Sequence, residues 1–387
     1  MQVLSSDAGG KIIKFRKRKS MNGHGHPRIG PLMRLVIPHI AKRYAVCVAM
    51  PNPKDFLITS YDRMMQYHTM LNEQSEGHPI RWMMKLYMTG DLDPRDVERA
   101  CLHPDFGGLK FYPAGLTTNS EEGIADPSLL WTRGSKPYEC LRIVAQAKKP
   151  VSWHGADGFA RADIRIENRS YRAGDELDTW DQECHFVDYS FPRVIDAHPD
   201  GIQVFEHLST IRGIEFARKN PNPNVFYTVT AHHPMLDRRD MTRGGLRPMY
   251  WCQPVLQTFE HTQELRRFAT EGRDDVGAGD DGASHPKGAK ESGCCASGVN
   301  TTECSEELYA ELFAEMGQLP HFEKFSALVM PGCYGIEPSG DYVVLERGET
   351  HPKSIFTCDD GTDVTGYAQP DRFAAEGVRG LNWRFAD

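Results

Sequence analysis

The chain is predicted to be an α/β protein, a (β/α)8 TIM barrel with a small C-terminal extension, and three observations carry that expectation. Short apolar runs of β character alternate with longer amphipathic stretches, and there are eight such alternations. Residues able to do chemistry fall at the ends of several of those runs, where a barrel of parallel strands gathers side chains on one face. The length of 387 residues is within reach of a single α/β barrel with additions.

In chain order the β-type runs are "GKIIKF" (10–15), "YAVCVAMPN" (44–52), "RWMMKLYMT" (81–89), "GGLKFYP" (107–113), "PVSWHG" (150–155), "IQVFEH" (202–207), "VFYTVT" (225–230) and "DVGAGDD" (275–281). Helical patterns such as "DPRDVERACL" and "PYECLRIVAQAKK" follow most of them. The barrel is expected to occupy residues 1–335. Residues 336–387, with "DYVVLERGE" and proline-rich flanks, read as a β-containing extension packed outside it. The stretch 157–201 is long for a connection, and "IENRSYRAGDELDTWD" reads as a charged, solvent-exposed insertion.

Composition excludes several classes of function. A net charge of −8 with Lys and Arg spread along the chain gives no basic field, so no nucleic-acid partner is expected. The longest apolar runs fall short of the ~20 residues a membrane span needs, and the N-terminal stretch lacks the apolar core of a secretory signal. Ten cysteines are too sparse for a disulfide framework. A reducing, cytoplasmic setting, a small-molecule substrate and a homodimeric assembly are the expectations.

The candidate site is read from position. Asn52 closes the second run, Lys110 lies in the fourth, His154 ends the fifth, His207 the sixth and Asp281 the eighth, while His24 and His26 lie beyond the first. Singly each has an ordinary reading: a lone histidine is usually a hydrogen-bonded surface or core residue, a lysine in an apolar run snorkels to water, and an aspartate caps a turn. The His-x-His pair is stronger, since on an extended segment residues i and i+2 share a face and both imidazoles reach one ion.

The order His-x-His, Lys, His, His, Asp resembles that of the amidohydrolase superfamily. The strings "KFYPAGLTTNS" (110–120), "VFEHLST" (204–210), "GGLRPMYWCQPVL" (244–256) and "KES" (290–292) after "GDDGASH" (279–285) resemble segments of the bacterial-type (class II) dihydroorotases, in that family's order. The resemblance runs from about residue 11 to 336.

It implies a metal-dependent amidohydrolase barrel with two zinc ions. His24, His26 and Asp281 match the ligands of one ion, His154 and His207 those of the other, and Lys110 matches a lysine carboxylated on Nζ that bridges both together with a hydroxide. A carbamate makes sense of a lysine here, because an ammonium repels a cation whereas the carbamate is an anionic oxygen ligand. Asp281 matches the group that takes the proton from the attacking hydroxide and hands it to the leaving nitrogen. The implied reaction is the reversible hydrolysis of dihydroorotate to N-carbamoyl-L-aspartate in pyrimidine biosynthesis. Arg28 matches a carboxylate-binding arginine, Asn52 and His285 its companions, and Thr117 and Thr118 the hydroxyls of a mobile lid. Backbone groups near Gln253 and Ala283 are expected to hold the ring amides.

Besides the long 157–201 stretch, this sequence departs from the family at two places. The usual Asp-Trp-His-Leu-His-Leu-Arg-Asp is here Asn22-Gly23-His24-Gly25-His26-Pro27-Arg28-Ile29, whose glycines are expected to loosen the strand end. After His154-Gly155, where the family often has an acidic residue, stands Ala156. Cys294 and Cys295 are expected to be structural and near the pocket, and His232 and His233 to be rim or supporting residues. Two alternatives stay open: another cyclic-amide hydrolase of the superfamily, and a dihydroorotase-like scaffold without turnover.

Overall fold

The computed structural model describes residues 1–367 and 380–386. Eight parallel strands form one sheet: β1 Ser20–Gly25, β2 Tyr44–Ala49, β3 Arg81–Met88, β4 Phe106–Phe111, β5 Val151–His154, β6 Gln203–Glu206, β7 Val225–Val229 and β8 Val276–Ala278. They neighbour one another in chain order. Every crossover carries a helix, beginning with Gly30–Arg43 after β1 and ending with Ser305–Glu315 after β8. Local chemistry starts several of these helices, since Ser60, Asp93, Ser135 and Thr210 each accept a backbone N–H of the first turn. Pro94 and Pro137 sit in first turns, where a missing N–H costs nothing.

The barrel closes where β8 meets β1, and side chains make much of that seam. Asn22 Nδ2 donates to Asp280 Oδ1 at 2.7 Å, and the Asp280 N–H donates back to Asn22 Oδ1 at 3.0 Å. The Asp281 N–H donates to the His24 carbonyl at 3.0 Å. At the opposite end the helix Val329–Tyr334 fills the barrel floor, packing Met330 and Tyr334 against Met21, Val48, Met83 and Val204.

Three sequence expectations are corrected. "GKIIKF" is not a barrel strand: Ile12–Arg18 pairs antiparallel with Gln2–Ser6 and with Tyr342–Thr350, which in turn pairs with Leu381–Phe385, giving a four-stranded sheet outside the barrel. The barrel's first strand is "SMNGHG", fully buried yet without one β-branched residue, so hydrophobic patterning passes over it. His24 is therefore on the first strand.

The glycines of that strand answer close approach and do not loosen it. A Cβ on Gly23 would lie 2.9 Å from the Ala278 carbonyl, and one on Gly25 would lie 2.5 Å from Cys47 Sγ. The stretch 157–201 is only partly an exposed insertion. It forms a hairpin, Ile164–Ile166 with Arg169–Tyr171, over a small core of Ala160, Ile166, Leu177 and Cys184. The buried Asp181 carboxylate clamps this hairpin, accepting from Arg169 Nε at 2.5 Å and Tyr171 Oη at 2.6 Å. The remainder, Gln182–His185 through Phe191–Ala197, is the helix that carries the chain from β5 to β6. Among the described residues no helix is long and apolar enough to cross a membrane.

The seam yields a stability prediction. Asp280→Ala strands the buried Asn22 amide and the Gly282 N–H, which donates to Asp280 Oδ1 at 3.0 Å. A loss of about 1–3 kcal/mol per stranded group is expected in urea unfolding. An unchanged midpoint would show that the seam pairing adds nothing.

Candidate metal centre and substrate pocket

The strand ends bring the predicted donors together in two groups. His24 and His26 Nε2 lie 3.4 and 3.0 Å from Asp281 Oδ1, and 3.2 Å from each other. His154 Nδ1 faces His207 Nε2 at 3.0 Å. The His24 and His207 ring centroids are 5.3 Å apart, so the two groups adjoin. Lys110 is fully buried beneath them, its Nζ bonded to Glu206. Facing imidazole nitrogens around a carboxylate, largely buried, are an arrangement that suits a divalent cation.

Backbone geometry aims these groups. Successive strand residues point to opposite faces, but His207 has φ 45° and Asp281 φ 49°, both left-handed. The turn at His207 lets Glu206 and His207 both face the barrel interior. The turn at Asp281 separates it from Asp280, which serves the seam. Such conformations cost a non-glycine residue on the order of 1–2 kcal/mol and collect at functional sites.

Electrostatics follow from burial among like groups. Burial lowers His26 to about 4 and His154 to about 3, and holds His207 well below its ordinary range, so these imidazoles are neutral at physiological pH. Burial alone would raise Asp281, but His24, His26 and His232 outweigh it and hold the carboxyl below the usual carboxylate range. Burial pushes the Lys110 ammonium down against the pull of Glu206.

Most predicted substrate residues line the same cavity: Arg28, Asn52, Thr117, Thr118, Gln253 and Ala283. Arg28, with φ 64°, is held by its Nε to the Ser284 carbonyl at 3.0 Å and by Tyr67 Oη, which donates to the Arg28 carbonyl at 2.8 Å. His285 stands behind it, with Nε2 3.1 Å from Arg28 Nη2 and 2.9 Å from the Ser297 carbonyl. The Ala283 N–H is already engaged by the Val299 carbonyl at 3.0 Å. The loop carrying Thr117 and Thr118 lies over the mouth: the Ser297 N–H donates to Thr118 Oγ1 at 3.1 Å and Asn52 Nδ2 donates to the Thr118 carbonyl at 3.1 Å.

Sequence reasoning missed Glu206, Tyr112 and Ser297. Tyr112 lines the cavity, and its ring lies 4.8 Å from Lys110 Nζ. Its signal was the i, i+2 spacing from Lys110. His232 and His233 are both buried; His233 is bonded to Thr230 and to the Pro254 carbonyl, while neither His232 nitrogen has a hydrogen-bond partner among the described residues. Cys294 is exposed, and Cys295 Sγ lies 3.9 Å from the Pro248 carbonyl.

The lowered histidines predict acid sensitivity. Below the ordinary value of 6.5 the unfolded chain binds protons at His26 and His154 that the folded chain does not bind until about 4 and about 3. The unfolded state thus holds more protons through that window, and stability falls as pH falls. The urea midpoint of chelator-treated protein should drop between about pH 7 and about pH 5, and a flat profile would contradict buried neutral histidines.

No family model matches the chain. It is 32% identical over 342 residues to the dihydroorotase of Alkalilimnicola ehrlichii, spanning 88% of this chain and 93% of that protein. The dihydroorotase of Jannaschia is 32% identical over 347 residues, with 89% and 93% covered. Among solved structures, the dihydroorotase of Saccharomyces cerevisiae in complex with 5-fluoroorotic acid shares the fold, with a TM-score of 0.83 at 22% identity over 97% of this chain and 99% of that one. From its likeness to these sequences, the chain belongs to the dihydroorotase family of cyclic amidohydrolases.

Proposed function

We propose that the chain catalyses the reversible hydrolysis of the cyclic amide of dihydroorotate to N-carbamoyl-L-aspartate in pyrimidine biosynthesis, as a zinc-dependent enzyme. The observation that carries this reading is the meeting of His24, His26, Asp281, His154 and His207 beside a buried Arg28 in one cavity. His24, His26 and Asp281 would hold one zinc ion, His154 and His207 the other, with Lys110, carboxylated on Nζ, between them. The ions would polarise the amide carbonyl and lower the pKa of the attacking water.

The chain's own groups divide the remaining work. Arg28 grips the substrate carboxylate through its guanidinium, with His285 and Asn52 beside it. Asp281 Oδ1 receives the proton of the attacking water and delivers it to the leaving ring nitrogen, so one carboxylate serves as base and then as acid. Thr117 and Thr118 complete the pocket from the loop above, and groups at Gln253 and Ala283 orient the ring amides. The loop excludes bulk water while it lies over the mouth.

The same reading takes the enzyme to be a cytoplasmic homodimer whose barrel unit, expected over 1–335, gives up Gln2–Ser6 and Ile12–Arg18 to the outer sheet shared with the extension 336–387. The pairing of Ile12–Arg18 with Tyr342–Thr350 supports one folding unit.

Zinc-loaded protein assayed on dihydroorotate tests the activity, and Arg28→Met tests the carboxylate site. The variant should keep its metal and lose kcat/KM by about 2–4 kcal/mol, the value of one or two charge-assisted bonds. Unchanged kinetics would assign the carboxylate to another cation, and no turnover of dihydroorotate by the parent protein would contradict the activity.

A further inference from the structure

We infer that Glu206 is a positioning residue that orients two groups of the centre at once, Lys110 and His24, an inference that rests on the metal-dependent reading above. Glu206 is fully buried at the end of β6, and its Oε2 meets both Lys110 Nζ on β4 and His24 Nδ1 on β1, the latter at 3.0 Å. One carboxylate therefore ties three strands together directly below the centre.

Each contact has a chemical consequence. A histidine that offers Nε2 to a cation must carry its proton on Nδ1. Glu206 Oε2 stands 3.0 Å from His24 Nδ1, a charge contact on the proton-bearing side of the ring, and the Nε2 lone pair is directed at His26 and Asp281.

On Lys110 the contact suits both states of the side chain. Carboxylation joins the neutral amine nitrogen to the carbon of carbon dioxide, releases one proton to solvent water and leaves the nitrogen with a single hydrogen. Glu206 accepts a hydrogen bond from the ammonium and then from that remaining N–H. With the N–H held towards Glu206, the new carboxylate group would be turned away from that acid. Lys85 is also fully buried in the barrel interior, where its Nζ is met by the Pro150 carbonyl at 3.4 Å and the Tyr334 ring at 5.0 Å.

An ordinary buried ion pair would explain a contact to Lys110 alone. It does not explain the second contact to a ligand histidine, nor the left-handed turn at His207 that brings Glu206 to the inside.

The test compares the parent chain with Glu206→Gln, which keeps the size and removes the charge, and with Glu206→Asp, which keeps the charge. Each is loaded with zinc in isotopically labelled bicarbonate and followed by thermal melting, zinc release to a chelator, and the carbamate carbon resonance in NMR. Glu206→Gln should stay folded, release zinc about 10-fold faster or more, and lose most of the carbamate resonance. Should Glu206→Gln fail to fold, Glu206→Asp is read in its place, with the same direction expected because the shorter carboxylate cannot span Lys110 and His24. A folded variant with the parent's zinc release and carbamate resonance overturns the role of Glu206. A parent chain that takes up no zinc and shows no carbamate overturns the metal-dependent reading itself, and this inference with it.

Discussion

Asn22 and Asp280 exchange hydrogen bonds across the seam between the first and last barrel strands, and residues 258 positions apart in the chain become neighbours through them. The next residue along, Asp281, gives its N–H to the His24 carbonyl. That pairing brings the His-x-His segment up against its aspartate at about the separation a shared cation needs. The glycines of the first strand belong to the same constraint, because the seam brings Gly23 so near Ala278 that a side chain would collide. Closing the barrel and assembling half of the metal centre are thus one event.

Two further buried carboxylates, Asp280 and Glu206, stand behind the donors. Glu206 stands under Lys110 and His24, as Asp280 stands under Asn22, and each immediately precedes a centre residue held in a left-handed conformation. This repeated device places two consecutive side chains in useful directions where a regular strand would send one of them outward. Its local cost of on the order of 1–2 kcal/mol each is offset by the hydrogen bonds that the buried carboxylates collect. The neutral histidines are the complementary liability, stable while unprotonated and exposed to acid.

Much of this centre was legible in the chain. Lys110, His154, His207 and Asp281 fall at the ends of apolar β-type runs, and parallel packing is enough to bring such ends together. His24 and His26 were legible from spacing, but their strand was not, since "SMNGHG" carries no β-branched signal and is buried by closure alone. The true β-signal nearby, Ile12–Arg18, belongs to the outer sheet, and pattern alone cannot say which sheet a strand joins. Glu206 was hidden for a local reason: alternation puts a residue next to a ligand on the opposite face, and the turn at His207 that reverses it leaves no mark in composition. The hairpin at 164–171 looked like solvated charge because its anchor, Asp181, is a buried acid that resembles its exposed neighbours in sequence.

In the proposed enzyme the seam and the strand ends build a two-cation centre from His24, His26 and Asp281 on one side and His154 and His207 on the other. Anomalous diffraction at the zinc edge from crystals of the zinc-loaded protein measures this directly. Two peaks are expected within the barrel mouth, one against each group of donors. A single peak, or zinc held instead by His232, His233 and Cys252, would contradict it.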